Sequence, residues 1–101
     1  MGFKIIRTED FKKDLFGVLD YLNNFSDQTS LKYYNLVQQK IRKLRRPPFG
    51  AGYVSNDRLR KLGYRWLYIK NYILFFTVDE EEKTVYIQRI IHSKRAYECI
   101  L

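Results

Sequence analysis

The stretch YRWLYIKNYILFFTVDEEEKTVYIQRIIH, residues 64–92, constrains the fold more than any other part of the chain. Three runs, 64–69, 72–79 and 84–92, are rich in aromatic and β-branched residues. Such side chains pack well on a pleated surface. Only Lys70-Asn71 and the acidic turn DEEEK separate them, and links that short close hairpins. The reading is an antiparallel meander of three strands. The run from Tyr72 to Val78 is apolar on both faces, so it is expected to be the most central.

The segment before it reads as one strand and two helices. FKIIRT, residues 3–8, is a short strand. Thr8 is placed to cap a helix, with Glu9 and Asp10 in a first turn whose dipole favours acids. Phe11, Leu15, Val18, Leu19, Leu22 and Phe25 then recur at helical spacing. NNFSDQTS breaks the pattern with turn formers. A second helix starts near 27–30, with Leu31, Tyr34, Val37, Ile41 and Leu44 as its apolar stripe. Lys40, Arg42, Lys43, Arg45 and Arg46 gather at its C-terminal end, where cations suit the dipole, and PPFGAG, residues 47–52, stops it. The expected architecture is a single α+β domain over 1–101, in the order β-α-α-β-β-β. An antiparallel-dominated sheet carries a two-helix hairpin on one face. The opposite face or its rim is left open, and a groove beside the hairpin suits a partner helix.

Composition narrows the function. The net charge is +8 over 101 residues. Residues 38–70 hold ten basic side chains against one acid, Asp57, so the rest of the chain is about neutral. A concentration of that kind attracts a polyanion or an acidic protein. One cysteine, Cys99, excludes an internal disulfide and fits a reducing cytoplasm. Charges at Lys4, Arg7, Glu9 and Asp10 leave no apolar block for a signal peptide. No apolar run approaches the roughly twenty residues of a membrane span. A soluble, intracellular protein is expected. With one histidine and one cysteine, a metal site or a nucleophile triad has poor material, and there is no glycine-rich phosphate loop. No cofactor is expected.

What remains is cationic and aromatic. RNA can be cleaved without metal when the 2′-hydroxyl attacks phosphorus. A base then removes its proton, an acid protonates the leaving oxygen, and fixed cations hold the developing charge. The tail supplies His92, Lys94, Arg95 and Tyr97; the strands supply Arg65 and Arg89. Arginine matches phosphate oxygens, and imidazole titrates near neutrality. Trp66 and Tyr68 can stack splayed bases, and Arg58, Arg60 and Lys61 lie in a loop leading into the sheet, placed for phosphate contacts. Each has an alternative use. Trp66 suits a core, Tyr97 a sheet edge, and Arg89 a buried ion pair with an acid such as Asp20. Strict alternation groups Arg89 with Val85, Ile87 and Ile91, opposite Tyr86, Ile90 and His92.

LGYRWLYIKNYILFFTVDEEEKTVYIQRIIHSKRAY, residues 62–97, together with EDFKKDLFGVLDYL in the first helix, resembles the RelE/ParE superfamily of type II toxin–antitoxin toxins. The shared features are a GYR turn into a strand, NY opening the next strand, an acidic turn, then V.I.RI followed by His and basic residues. The resemblance implies a bacterial or mobile-element toxin neutralised by an acidic, partly disordered antitoxin. It implies one of two targets: mRNA on the ribosome, cut without metal, or DNA gyrase, poisoned without catalysis. The expected function is a ribosome-dependent mRNA endonuclease with His92, Arg65, Arg89, Lys94, Arg95 and Tyr97 as catalytic residues. Two departures from RNA-cutting members support the gyrase alternative: Ile73 stands where many have an arginine, and no acid lies between Arg58 and Val78. A non-toxic nucleic-acid-binding domain is a third reading.

Overall fold

The computed structural model describes residues 2–47 and 52–101. Its regular elements are β1 (Lys4–Arg7), α1 (Glu9–Asn23), α2 (Asp27–Arg42) running into a short 3-10 turn, α3 (Asp57–Lys61), β2 (Arg65–Ile69), β3 (Tyr72–Asp79), β4 (Thr84–His92) and α4 (Tyr97–Ile100). The strand order is β1-β4-β3-β2. β1 runs parallel to β4, and the other two pairings are antiparallel. The α+β class, the meander and the helical hairpin on one face are as the sequence leads one to expect. The proposed PPFGAG stop falls largely on residues 48–51, outside the described residues.

The capping chemistry explains the helix starts. Thr8 Oγ1 accepts the Phe11 N–H at 3.1 Å, and Ser26 Oγ accepts that of Thr29 at 2.9 Å. The α1 stripe is buried at Phe11, Leu15 and Val18, whereas Phe25 is exposed. In α2 the expected stripe needs correction: Leu31 and Tyr34 are exposed, and Tyr33 is buried beside Val37 and Ile41. The Tyr33 hydroxyl donates to the Ile69 carbonyl at 2.8 Å, which ties the helix to the far edge strand and satisfies a buried polar group.

Two apolar layers form, one on each face of the sheet. The larger lies under α1 and α2 and includes Phe11, Val37, Ile41, Leu74, Phe76, Val85, Ile87 and Ile90. The smaller holds Val54, Leu59, Ile73, Phe75 and Ile91, with Tyr64, Trp66, Tyr97, Ile100 and Leu101 against it. Phe75 and Phe76 are both fully buried, one in each layer, because β3 is sandwiched. The second face is therefore partly covered rather than open. Its cover comes from α3 and α4, in segments that read as loop and tail in the sequence. Both helices are only a turn or so long, too short for a periodic signal.

A β-bulge decides how β4 ends. Phe76 pairs with Ile87 but Phe75 pairs with Arg89, so Gln88 is an extra residue. The bulge resets the alternation. Ile87 and Ile90 both enter the layer under the helices, and Ile91 enters the other. Arg89 is thus separated from Val85 and Ile87, contrary to the strict alternation, and stays on the opposite side of the strand from His92. Thr8 secures the bulge: its hydroxyl is shared between the Ile87 and Gln88 carbonyls, each at 3.0 Å.

Candidate functional site

The sequence-derived candidates fall into three places, the second and third of which adjoin at Asp14. On the face away from the hairpin, Trp66 sits among Tyr68, Phe75 and Tyr97, with ring centroids 5.9, 6.5 and 5.8 Å away. Tyr68 is exposed, and Tyr97 is half-buried against Phe75 at 5.2 Å. Burial raises the Tyr97 hydroxyl above its ordinary pKa, with Glu98 adding to the shift, so it remains a neutral phenol at physiological pH. At the start of β2 the Arg65 guanidinium lies 4.1 Å from the centre of the Tyr53 ring and donates to the Tyr53 hydroxyl at 2.9 Å.

The basic segment expected as a loop is α3, capped by Asn56, whose side chain accepts the Leu59 N–H at 3.1 Å. Arg58 reaches the C-terminal turn and donates to the Glu98 and Leu101 carbonyls at 2.6 and 3.0 Å. Arg60 donates to the Ser55 carbonyl at 3.1 Å and to the Asp57 carboxylate. Lys61 is exposed at the helix end. Arg58 and Arg60 therefore both hold local structure together.

Arg89 is in the second place, at the edge of β4 beyond the last β1 pairing, Arg7 with Ile87. Its guanidinium makes a two-pronged ion pair with Asp14 of α1, at 2.6 and 3.0 Å, and the same carboxylate accepts the Ile90 N–H at 3.1 Å. The hydrogen bond to Asp14 raises the Arg89 pKa further above its already alkaline value. The partner is Asp14, not Asp20. A signal for it exists in the sequence: Asp14 lies three residues after Phe11 and four before Val18, on the buried stripe itself.

The third place is the end of β4 beneath α1. His92 pairs with Tyr72, their rings edge to face at 5.1 Å. Its Nδ1 accepts the Lys94 N–H at 3.1 Å, which puts the proton of the neutral ring on Nε2. Lys94 and Arg95 are exposed in the turn that follows, and the Arg95 N–H donates to the His92 carbonyl at 3.0 Å. A cleft of about 290 Å³ here is lined by Lys13, Asp14, Tyr21, Tyr72, His92 and Arg95, among others. Tyr21 and Tyr72, absent from the sequence-derived set, complete this cleft. Burial raises the Tyr72 pKa, with Tyr21 adding to the effect.

The arrangement holds ring-stacking surface and hydrogen-bond donors in two places, but no single place combines His92, Tyr97 and the arginines. Among the described residues no cluster of three or more His, Cys, Asp or Glu side chains forms a metal centre. No described helix is long and apolar enough to cross a membrane.

A four-stranded mixed sheet under an α-hairpin is the fold of the RelE/ParE toxins. Residues 5–97 match the family described as the ParE toxin of the type II toxin–antitoxin system parDE, and the chain belongs to that family. Solved structures agree at the level of fold. A chain of the chromosomal ParDE toxin–antitoxin system from P. aeruginosa superposes with a TM-score of 0.73 at 21% identity, covering 89% of this chain and 95% of that one. A chain of the toxin–antitoxin complex RelBE2 from Mycobacterium tuberculosis gives 0.61 at 18% identity, covering 94% and 95%. A conserved hypothetical protein from Helicobacter pylori gives 0.58 at 19%, covering 92% and 97%. No curated protein matches the chain by sequence.

Proposed function

We propose that this toxin acts by binding DNA gyrase, without cleaving RNA, and that an acidic antitoxin neutralises it. The observation that carries this reading is the separation of the candidate cleavage groups. Arg89 is held by Asp14, Arg58 and Arg60 by local carbonyls and a carboxylate, and Tyr97 by the aromatic layer on the far face. Arg89 and His92 leave opposite faces of β4, and Asp14, on the rim of the His92 cleft, holds the Arg89 guanidinium. Metal-free phosphodiester cleavage requires base, acid and cations around one phosphate, within hydrogen-bond reach. The likeness to a ParDE toxin and the absence of an acid between Arg58 and Val78 support the same reading. The net charge of +8, concentrated in residues 38–70, fits an acidic partner.

A second reading is metal-independent mRNA cleavage on the ribosome, with His92 as acid or base, Tyr97 assisting, and Arg65, Arg89, Lys94 and Arg95 neutralising phosphate. The half-buried His92 beside exposed Lys94 and Arg95 favours it. Pulse-labelling cells just after induction separates the two. Thymidine incorporation is expected to fall before methionine incorporation, and purified toxin is expected to inhibit gyrase supercoiling. His92→Ala, folded as judged by circular dichroism, is expected to remain toxic. A methionine signal that collapses first, and depends on His92, overturns the gyrase reading in favour of the ribosome.

A further inference from the structure

We propose that the outer edge of β1 is a self-pairing surface, on which a second copy of this chain adds its own β1 antiparallel about a two-fold axis at Ile6. β1 pairs with the first half of β4, Thr84 to Ile87, away from His92. The inference is independent of which target the toxin acts on.

β1 is an outermost strand of the sheet, with β4 on one side only. The Lys4 and Thr8 N–H groups donate to the Lys83 and Ile87 carbonyls, at 2.8 and 3.1 Å. Main-chain groups alternate in direction along a strand, so those of Ile5 and Arg7 point away from β4. They meet no partner among the described residues. The Arg7 guanidinium is drawn aside toward α2, where it donates to the Gln38 side chain at 2.9 Å. An unpaired edge of this kind is a template for another strand.

The residues of the edge select the register. Centring the pair on Arg7 sets two arginines face to face, and like charges directly opposite are destabilising. Centring it on Ile5 calls on the Phe3 N–H, already given to the Arg45 carbonyl at 2.6 Å. Centring it on Ile6 pairs Ile5 with the partner's Arg7, and Arg7 with the partner's Ile5. Each of these pairs exchanges both of its main-chain hydrogen bonds. Lys4 then faces the partner's Thr8, and half-buried Ile6 meets its own copy at the axis. The charges match as well. Continuing the register places the partner's Glu9 and Asp10 opposite Phe3 and Gly2. There they meet a hollow of about 450 Å³ whose lining includes Lys4, Arg42 and Arg45. None of these three cations has a carboxylate within ion-pair distance among the described residues. Glu9 is engaged only by exposed Lys12, at 3.4 Å. The two-fold axis repeats the contact, so each copy presents its acids to the other's cations, as a closed, self-complementary pair requires.

The test is sedimentation velocity of the full chain over a range of concentrations, joined to amide hydrogen exchange of the ¹⁵N-labelled protein. Dimer is expected to predominate at about 0.5 mM, as suits a small, transient interface. Exchange at Ile5 and Arg7 is expected to slow by about tenfold as dimer forms, while that at Lys4 and Thr8, already bonded within the chain, stays as it was. Glu9→Arg and Arg45→Glu change exposed side chains and are each expected to weaken dimerisation by about tenfold. The double variant exchanges the two charges and is expected to return the affinity to within about threefold of the original. A chain that stays monomeric at that concentration overturns the proposal. So does a double variant weaker than either single one, or a dimer whose slowed amides lie along β2. Protection of Ile5 and Arg7 that appears only on adding an acidic peptide also overturns it and assigns the edge to the antitoxin. None of these outcomes alters which incorporation falls first in cells.

Discussion

Single side chains carry long-range structure here. Asp14 joins α1 to the edge of β4 through one carboxylate that serves both the Arg89 guanidinium and a main-chain N–H. Asp14→Ala leaves a partly buried cation and an amide without partners, and is expected to cost about 2 kcal/mol in urea unfolding. The raised Arg89 pKa means that the arginine's share of this stability is present throughout the neutral range and is lost only at strongly alkaline pH. Tyr33 gives a measurable pH effect. Burial first, then Tyr72, pushes its hydroxyl well above the ordinary value, so the folded state requires the neutral phenol. Stability is then full below about pH 10 and declines as the pH rises beyond it, because the unfolded chain ionises first. Tyr33→Phe is expected to lose about 1 kcal/mol at pH 7 through the bond to Ile69. It is also expected to flatten the alkaline fall, as measured by thermal melts from pH 9 upward.

At the scale of elements, α1 is positioned by its cap as much as by its stripe. Thr8 bonds the first turn and the two carbonyls of the Gln88 bulge, so Thr8→Ala removes a helix cap and a bulge clamp together. An unfolding cost of about 1 to 2 kcal/mol is expected. The C-terminal turn depends on a single clamp. Arg58→Ala is expected to accelerate amide exchange at Cys99 and Leu101 while changing global stability by less than about 1 kcal/mol. Strands and long helices were legible in the sequence, because their periods run over many residues. The short α3 and α4 were not. The choice of Tyr33 over Tyr34 was not legible either, since two adjacent tyrosines fit the stripe almost equally and the position of β2 selects between them.

For the whole molecule, the concentration of charge gives the proposed acidic partner a testable signature. With most of the positive charge in residues 38–70, association with the acidic antitoxin proposed above is expected to slow on the order of tenfold from low to high salt, measured by stopped-flow mixing. The amino-acid order alone determined the β-α-α-β-β-β succession, the capping of α1 and the basic character. These depend on local propensity, period and composition, which are properties of neighbours in the chain. It also placed the candidate residues near the end of β4 and the start of β2. Their division among three sites was decided only in the tertiary structure. A single extra residue at Gln88 inverts the faces of the strand beyond it, and Asp14, 75 positions away from Arg89, claims that arginine once α1 docks. A bulge and a long-range ion pair leave no periodic trace, because each depends on which segments meet rather than on what either segment contains.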